Sequence, residues 1–195
     1  MTTASASAKS ILREQVRARL KTIAADERSA LARQLCEMMV AQDLWRRAKN
    51  ILFFSPLPDE PDISLLFNEA WRTGKLLALL RTDRQTGGYV ARVVEDRSQL
   101  APGRFGVLEP GAGCPVVPLN QLDLVLVPGV AFDSLGGRLG RGKGFYDRLL
   151  AEVRGHKCGV AFDFQFVPSV PVEPHDIRVD SILTPTRWHL CLRPA

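Results

Sequence analysis

Residues 136–144 combine five glycines with three basic residues. Glycines allow backbone amides to approach an anion closely and to adopt positive φ angles. Consecutive amides in such a turn form a concave anion site, and a following helix adds the positive end of its dipole. The side chains of Arg138, Arg141 and Lys143 can neutralise phosphate oxygens. The segment therefore predicts a phosphate-binding loop, and the alternative interpretation is a flexible, basic hairpin turn.

This loop departs from both common phosphate-binding patterns. Its spacing approaches that of a P-loop, but Gly144 stands where a Ser or Thr hydroxyl would bind magnesium. It also departs from the dinucleotide pattern GxGxxG, because Phe145 stands in place of the third glycine. A magnesium ion bound with a nucleotide would then need a carboxylate, and Asp147 follows directly.

The pattern of apolar residues predicts the elements that position this loop. Helical spacing predicts helices over residues 9–22, 26–42, 63–72 and 144–153. Apolar runs predict strands over residues 50–54, 75–80, 122–127 and 158–162, a less regular strand over 89–94, and closing strands over 179–183 and 189–192. Such alternation predicts an α/β fold, a three-layer αβα sandwich with a mostly parallel, Rossmann-like sheet. Ligands bind such sheets outside the carboxyl ends of the strands, where the candidate motifs lie.

Two further stretches stand out by composition. Residues 1–8 are rich in Ser, Ala and Thr and are expected to be disordered. Residues 101–118 are rich in Gly and Pro and predict a long functional loop. No linker or internal repeat interrupts the chain, so we expect a single domain over residues 1–195.

The composition restricts the partners of the protein. The net charge of +5 and the pI of about 9.3 favour an anionic ligand. The basic residues are spread along the chain with little aromatic interleaving, which argues against nucleic acid as the main ligand. No apolar stretch is long enough to cross a membrane. The four cysteines lack metal-site spacing and indicate free thiols in a reducing compartment, so we expect a cytoplasmic protein. We also expect a monomer.

Two consecutive segments carry a resemblance to a known family. The sequence PGVAFD at residues 128–133, followed by GRLGRGKGFYD at 137–147, closely resembles the signature of 5-formyltetrahydrofolate cyclo-ligases, also called 5,10-methenyltetrahydrofolate synthetases. The segments KSILR at 9–13 and RFGVLEP at 104–110 also resemble family motifs. Two departures are Leu80, where many members have Pro, and Phe145, which replaces a frequent Tyr.

The resemblance implies an ATP- and Mg²⁺-dependent ligase that forms a C–N bond. The substrate 5-formyltetrahydrofolate becomes 5,10-methenyltetrahydrofolate, and ATP becomes ADP and phosphate. Phosphorylation of the formyl oxygen would convert a poor leaving group into a good one, and N10 would then attack the activated carbon. The first step is a phosphoryl transfer, which depends mainly on positioning and charge neutralisation.

The resemblance also implies roles for individual residues. It places the ATP phosphates against two amino-terminal residues and the glycine-rich loop, namely Lys9, Arg13, Arg138, Leu139, Gly140, Arg141, Gly142, Lys143, Gly144, Phe145 and Tyr146. It places the folate against Phe54, Glu60, Phe105, Arg141, Gly142, Lys143, Gly144 and Phe145.

Within these sets, some residues have an expected chemical role. Arg141 and Lys143 are expected to stabilise the transferring phosphoryl group, and Glu60 is expected to meet the substrate near its formyl group. Phe105 is expected to stack on the pterin ring. The resemblance implies that Asp147 and Asp176 bind Mg²⁺, which prefers oxygen ligands.

Two other functions remain as alternatives at this point. The same scaffold could carry a sugar-phosphate isomerase or a relative of CoA-transferases, but those reactions need no ATP-bound magnesium. A non-catalytic nucleotide- or RNA-binding paralogue is the second alternative. Such a protein would be expected to lose Glu60, Asp147 or Asp176, and all three are present.

Overall fold

Eleven strands and five helices build the part of the chain that is described by a computed structural model, namely residues 2–83, 88–103, 106–142 and 144–192. The strands are β1 (Asn50–Leu52), β2 (Leu76–Thr82), β3 (Tyr89–Val93), β4 (Leu100–Pro102), β5 (Leu108–Pro110), β6 (Leu124–Pro128), β7 (Ala131–Phe132), β8 (Arg138–Leu139), β9 (His156–Val160), β10 (Ser181–Leu183) and β11 (Trp188–Leu190). The α-helices are α1 (Thr2–Lys21), α2 (Ala25–Val40), α3 (Asp43–Arg47), α4 (Ser64–Arg72) and α5 (Phe145–Glu152).

Seven of these strands form one central sheet in the order β11-β10-β9-β6-β1-β2-β3. The five inner strands run parallel, and β3 and β11 pair antiparallel at the two edges. Strand β6 is buried along its whole length, as expected for a parallel strand covered on both faces. The predicted apolar strands are thus confirmed, with boundaries shifted by a few residues.

Helices cover both faces of the sheet. On one face, Leu35 and Met39 of α2 and Leu66 of α4 pack with buried side chains of β1, β2 and β6. On the other face, Leu149 and Leu150 of α5 pack against the opposite sides of the same strands. The predicted three-layer αβα sandwich with a mostly parallel sheet is therefore confirmed.

The order of the strands creates a crevice between β1 and β6. From β1 the chain passes through α4 to β2 on one side, and from β6 it passes through α5 to β9 on the other. The segments that leave the carboxyl ends of β1 and β6 therefore separate, and a doubly wound sheet binds ligands at such a point. Residues 53–63 follow β1, and residues 129–144 follow β6.

Helix α1 is longer than the sequence predicted. It begins at Thr2 rather than Lys9, so residues 2–8 are helical where a disordered end was expected. Alanines alternate with small polar residues there, and the high helix propensity of alanine favours extension of the helix toward the amino terminus. Val16 of α1 packs against Val130 and Leu139, which places this helix beside the segment that follows β6.

The segment 101–118, predicted as a long loop, contains a two-stranded ribbon instead. Strands β4 and β5 pair antiparallel. The buried Glu109 accepts a hydrogen bond of 2.8 Å from the Thr82 hydroxyl, which ties this ribbon to the end of β2. Strands of three residues are too short to produce a periodic pattern, so nothing in the sequence indicated them.

Within the described residues, no helix is both long enough and apolar enough to cross a membrane.

Candidate active site

The glycine-rich segment forms a hairpin that is organised by a buried carboxylate. Strands β7 and β8 pair antiparallel, and their turn contains Asp133. The Asp133 carboxylate accepts hydrogen bonds from the backbone N–H groups of Gly137 at 2.8 Å, Leu135 at 3.0 Å and Val170 at 2.8 Å. A Cβ atom at Gly137 would lie 2.6 Å from a carboxylate oxygen, so only glycine fits there. Asp133 belongs to the PGVAFD motif, but sequence reasoning assigned it no role.

Arg138, on strand β8 of this hairpin, is almost fully buried. Its side chain is 4% exposed, and its Nη2 donates to Asp147 Oδ1 at 2.8 Å. The guanidinium also lies 5.5 Å from the ring centre of Tyr146, within reach of a cation–π contact. Among the described residues, its buried Nε atom has no hydrogen-bond acceptor. Leu139 is buried in the core, so only its backbone is available to a ligand.

Arg141 lies in the segment that follows β8 and reaches across the cleft to the segment after β1. Its Nη2 donates to Asp59 Oδ1 and lies 3.3 Å from Glu60 Oε1. Although partial burial opposes the charge, the two carboxylates raise the pKa of Arg141 above its usual value. The structure thus joins the predicted phosphate loop to the predicted substrate carboxylate through a direct ion pair.

Glu60 is the more deeply placed of the two carboxylates. Its side chain is 9% exposed, and its Oε2 accepts a hydrogen bond of 3.0 Å from the Leu57 N–H of its own turn. Burial raises the pKa of Glu60, while the bonds from Leu57 and Arg141 oppose that rise. A carboxyl group with a raised pKa at a cleft is a candidate for proton exchange with a ligand.

Helix α1 contributes two cations to the same region. Lys9 Nζ lies 2.8 Å from Asp176 Oδ2 and 3.4 Å from Glu173 Oε2. Arg13 Nε donates to the carbonyl oxygen of Gly140 at 2.9 Å. The two residues that the amino-terminal resemblance singled out therefore reach the glycine-rich hairpin and the carboxyl-terminal loop.

Asp147 and Asp176 lie on neighbouring segments. Asp147 Oδ1 accepts a hydrogen bond of 3.4 Å from the N–H of Ile177, the residue next to Asp176. Burial opposes ionisation of Asp176, but hydrogen bonds from Lys9 and from the Glu173 N–H lower its pKa. Both predicted metal ligands are thus held near each other, each in contact with a cation.

Glu173 and His175 surround Asp176 with further potential ligands. Potential ligand atoms of Glu173, His175 and Asp176 lie within 4.8 Å of one another. From the sequence, Glu173 and His175 were assigned no role in metal binding. The sequence spacing of His175 alone matches no metal-site pattern.

Three aromatic side chains cluster near the start of α5 and form an aromatic wall. The rings of Phe145 and Tyr89 have centres 3.8 Å apart, and Phe145 also contacts Tyr146 edge-to-face. Burial raises the pKa of the Tyr146 phenol, and the nearby Glu60 carboxylate adds to this rise. Tyr89 was not predicted as a site residue from the sequence, because an aromatic residue at the start of a weakly patterned strand is not specific to any function.

Gly144 forms the turn that precedes this aromatic wall. It precedes α5 with a φ of 59°, in the left-handed region that glycine adopts without strain. The loop can therefore turn directly into the helix that carries Phe145 and Asp147.

One predicted substrate residue lies in the core, and two predicted site residues lie outside the described part of the chain. Phe54 is 4% exposed and packs in the core on the α2–α4 face, so its predicted contact with substrate stays a prediction. Phe105 and Lys143 lie outside the described residues. Six of the other predicted side chains meet around the glycine-rich segment, namely Lys9, Arg13, Glu60, Arg141, Asp147 and Asp176, whereas those of Arg138 and Leu139 are buried.

The fold and the site together define an αβα protein with an ion-paired cleft at the switch point of its sheet. The model of the 5-formyltetrahydrofolate cyclo-ligase family matches residues 5–185. The chain belongs to this family, and the resemblance drawn from the sequence motifs is confirmed.

Individual relatives agree with this assignment along most of their length. The 5-formyltetrahydrofolate cyclo-ligase of Mus musculus is 31% identical over 91% of this chain and 93% of its own. That of Escherichia coli K12 is 30% identical over 88% of this chain and 97% of its own. The NMR structure of the Aquifex aeolicus 5,10-methenyltetrahydrofolate synthetase superposes with a TM-score of 0.86 at 32% identity, and it covers 96% of this chain and 94% of that chain.

Proposed function

We propose that this protein is an ATP-dependent enzyme that closes 5-formyltetrahydrofolate to 5,10-methenyltetrahydrofolate. The γ-phosphoryl group of ATP moves to the formyl oxygen, and ADP leaves. N10 then attacks the formyl carbon and loses its proton, the C–O bond breaks, and phosphate departs. Family membership supports this reaction, and the contact of Arg141 with Glu60 is the observation that carries it.

That contact matters because the reaction must bring two ligands together. Arg141 lies on the glycine-rich hairpin, which we assign to the triphosphate. Glu60 follows β1, which we assign to the folate side. Because Arg141 touches both segments, ligands bound to them would meet at one point of the cleft, with the γ-phosphoryl group beside the formyl oxygen. Positioning of this kind accounts for much of the catalysis of phosphoryl transfer.

The nucleotide half of the site is built from cations and backbone amides. Lys9 and Arg13 reach it from α1, and Arg141 reaches it from the hairpin. We propose that these groups, together with Lys143, bind the triphosphate and that Arg141 and Lys143 stabilise the transferring phosphoryl group. The buried Nε of Arg138 is a donor with no acceptor among the described residues, which supports an additional acceptor in this region.

The residues present also fit a magnesium ion. Asp147 and Asp176 offer hard oxygen ligands on adjacent segments, next to the hairpin. We propose that these two carboxylates hold Mg²⁺, which would neutralise charge on the phosphate oxygens. Arg138 and Lys9 balance the charges of the same two carboxylates in the protein alone.

The folate half of the site provides a carboxyl group and aromatic rings. Glu60, whose pKa is raised by burial, is suited to accept the proton that N10 loses on ring closure. The half-buried ring of Phe145, packed on Tyr89, offers an apolar wall for the flat pterin. We propose the same role for Phe105, and we propose that Phe54 also contacts the substrate. A cytoplasmic monomer remains our prediction for the working form.

The test is a direct assay of the purified protein. The protein is mixed with 5-formyltetrahydrofolate, ATP and Mg²⁺, and the absorbance of the methenyl product is followed. We expect product only when all three are present, with ADP and phosphate formed in equal amounts. The D147N variant should lose most of this activity, whereas E69Q, which alters an exposed pair with Arg72 on α4, should keep it. Absence of product from the wild-type protein would refute the proposed function.

A further inference from the structure

We propose that Asp59 is a positioning residue that holds Arg141 across the cleft in the protein without nucleotide and must release it when nucleotide binds. This inference rests on the proposed function, because it assigns Arg141 to the triphosphate. Asp59 itself was assigned no role from the sequence. It accepts a hydrogen bond from Arg141 Nη2, although the two residues are 82 positions apart in the chain.

Asp59 and Glu60 are adjacent but are held in different ways. Glu60 is fixed by its own turn, since its Oε2 accepts from the Leu57 N–H and its backbone N–H donates to the Leu57 carbonyl at 2.9 Å. The Asp59 side chain is 36% exposed at the rim. Within the described ranges, Arg141 is the only hydrogen-bond donor to its carboxylate. The Asp59 carboxylate therefore has one structural task, which is to hold Arg141.

A bound nucleotide would compete with Asp59 for Arg141, because the Arg141 side chain is partly exposed. Carboxylate and phosphate oxygens accept hydrogen bonds from the same in-plane N–H groups of a guanidinium, so a phosphate bound to Arg141 Nη2 would replace Asp59 there. The side chain of Arg141 is 37% exposed, and it lies in the segment between β8 and α5. Arg138 differs, because its side chain is 4% exposed and is paired with Asp147. Arg141 is therefore the cation that can exchange the Asp59 carboxylate for a phosphate of the nucleotide.

Loss of the Asp59 charge should strengthen nucleotide binding. An ion pair this exposed changes an equilibrium constant by about two- to fivefold, so D59N should lower the dissociation constant for nucleotide by about that factor. A purely structural role of Asp59 would predict the opposite, because damage to the rim would weaken binding.

The experiment is a double-mutant cycle on nucleotide affinity. The dissociation constant of ATP with Mg²⁺, without folate, is measured by calorimetry for wild type, D59N, R141A and D59N/R141A. We expect D59N to bind about two- to fivefold more tightly in the wild-type background and to have no effect in the R141A background. Direct repulsion between Asp59 and the phosphates would tighten binding in both backgrounds, and that result would overturn the proposal.

Two further variants separate charge from position. E69Q removes one carboxylate from the exposed pair with Arg72, so it changes the net charge equally without touching the cleft, and its affinity should equal that of wild type. D59E keeps the charge and should restore an affinity near that of wild type. Unchanged affinity in D59N would refute the role of Asp59 alone, whereas failure of the wild-type protein to bind ATP would refute the proposed function.

Discussion

Lys9 Nζ lies 2.8 Å from Asp176 Oδ2, although 167 positions separate the two residues in the chain. The pair joins α1 to the loop that carries a proposed metal ligand. Each group neutralises the other, and the Lys9 hydrogen bond helps to lower the pKa of Asp176 against the effect of burial. A nucleotide with its metal would give both groups new partners, phosphate oxygens for Lys9 and the cation for Asp176.

Replacement of Lys9 should therefore weaken nucleotide binding. In the K9M variant, the loss of one charged hydrogen-bond donor should raise the dissociation constant for ATP with Mg²⁺ by about tenfold. Calorimetry with the purified proteins measures this change. K21M is a matched control, since Lys21 lies exposed at the end of the same helix and its loss alters the net charge equally. Equal affinities for K9M and wild type would remove Lys9 from the site.

Glu60 should make the stability of the protein depend on pH in a defined direction. Because its pKa is raised in the folded state, the folded protein holds this proton more strongly than the unfolded chain does. The favourable contribution is complete below the ordinary pKa of a glutamate and is lost as the pH rises through the raised value. An E60Q variant lacks this loss, so its free energy of unfolding should rise relative to wild type as the pH increases.

The E60Q variant should also change the activity of the enzyme. If Glu60 accepts the N10 proton, E60Q should lower kcat by about 100-fold or more at neutral pH. Denaturant unfolding at several pH values, combined with the product assay, measures both effects. E69Q serves again as the control, because Glu69 lies on α4 outside the cleft. A stability difference that does not vary with pH would contradict the effect of burial on Glu60.

The sequence predicted the layers of the fold well, because long apolar runs and helical periodicity report burial directly. It could not predict the two-residue strands β7 and β8, which are too short for any period. The sequence therefore could not show that the side chain of Arg138, on β8, is buried and paired with Asp147, and its contact with the phosphates stays a prediction.

Residue contacts across the cleft could not be predicted from the sequence for a different reason. The contact between Arg141 and Asp59 depends on β1 and β6 being neighbours in the sheet, and the order of the strands is not written in local patterns. The contact of Tyr89 with Phe145 likewise depends on the position of an edge strand. By contrast, the long motif at residues 137–147 is specific enough on its own to identify the family.

Asp133 should be needed for the glycine-rich hairpin to form. In a D133A variant, three backbone N–H groups lose their acceptor, and two of them belong to Gly137 and the buried Val170. We expect a loss of about 3 kcal/mol in the free energy of unfolding, since buried unsatisfied donors are costly. Denaturant titration measures this loss, and the affinity of the remaining folded protein for ATP should also fall.

Asp123 provides the control for that prediction. Its carboxylate accepts hydrogen bonds of 2.8 Å from the backbone N–H groups of Lys49 and Asn50, at the amino-terminal ends of β1 and β6. D123A should therefore destabilise the protein without weakening ATP binding by the folded fraction. If both variants lost affinity equally, the hairpin would have no special dependence on Asp133.

Phe145 should serve the folate through its ring and not through any polar group. Its ring packs on Tyr89, and removal of the ring in F145A should raise the KM for 5-formyltetrahydrofolate by about tenfold, because apolar area and aromatic contact are lost together. F145Y keeps the ring and restores the residue that is frequent in the family, so its KM should stay near that of wild type. Y89F keeps the neighbouring ring and tests whether the Tyr89 hydroxyl contributes. Steady-state kinetics at saturating ATP measures all three variants. A normal folate KM in F145A would show that the pterin does not bind against this wall.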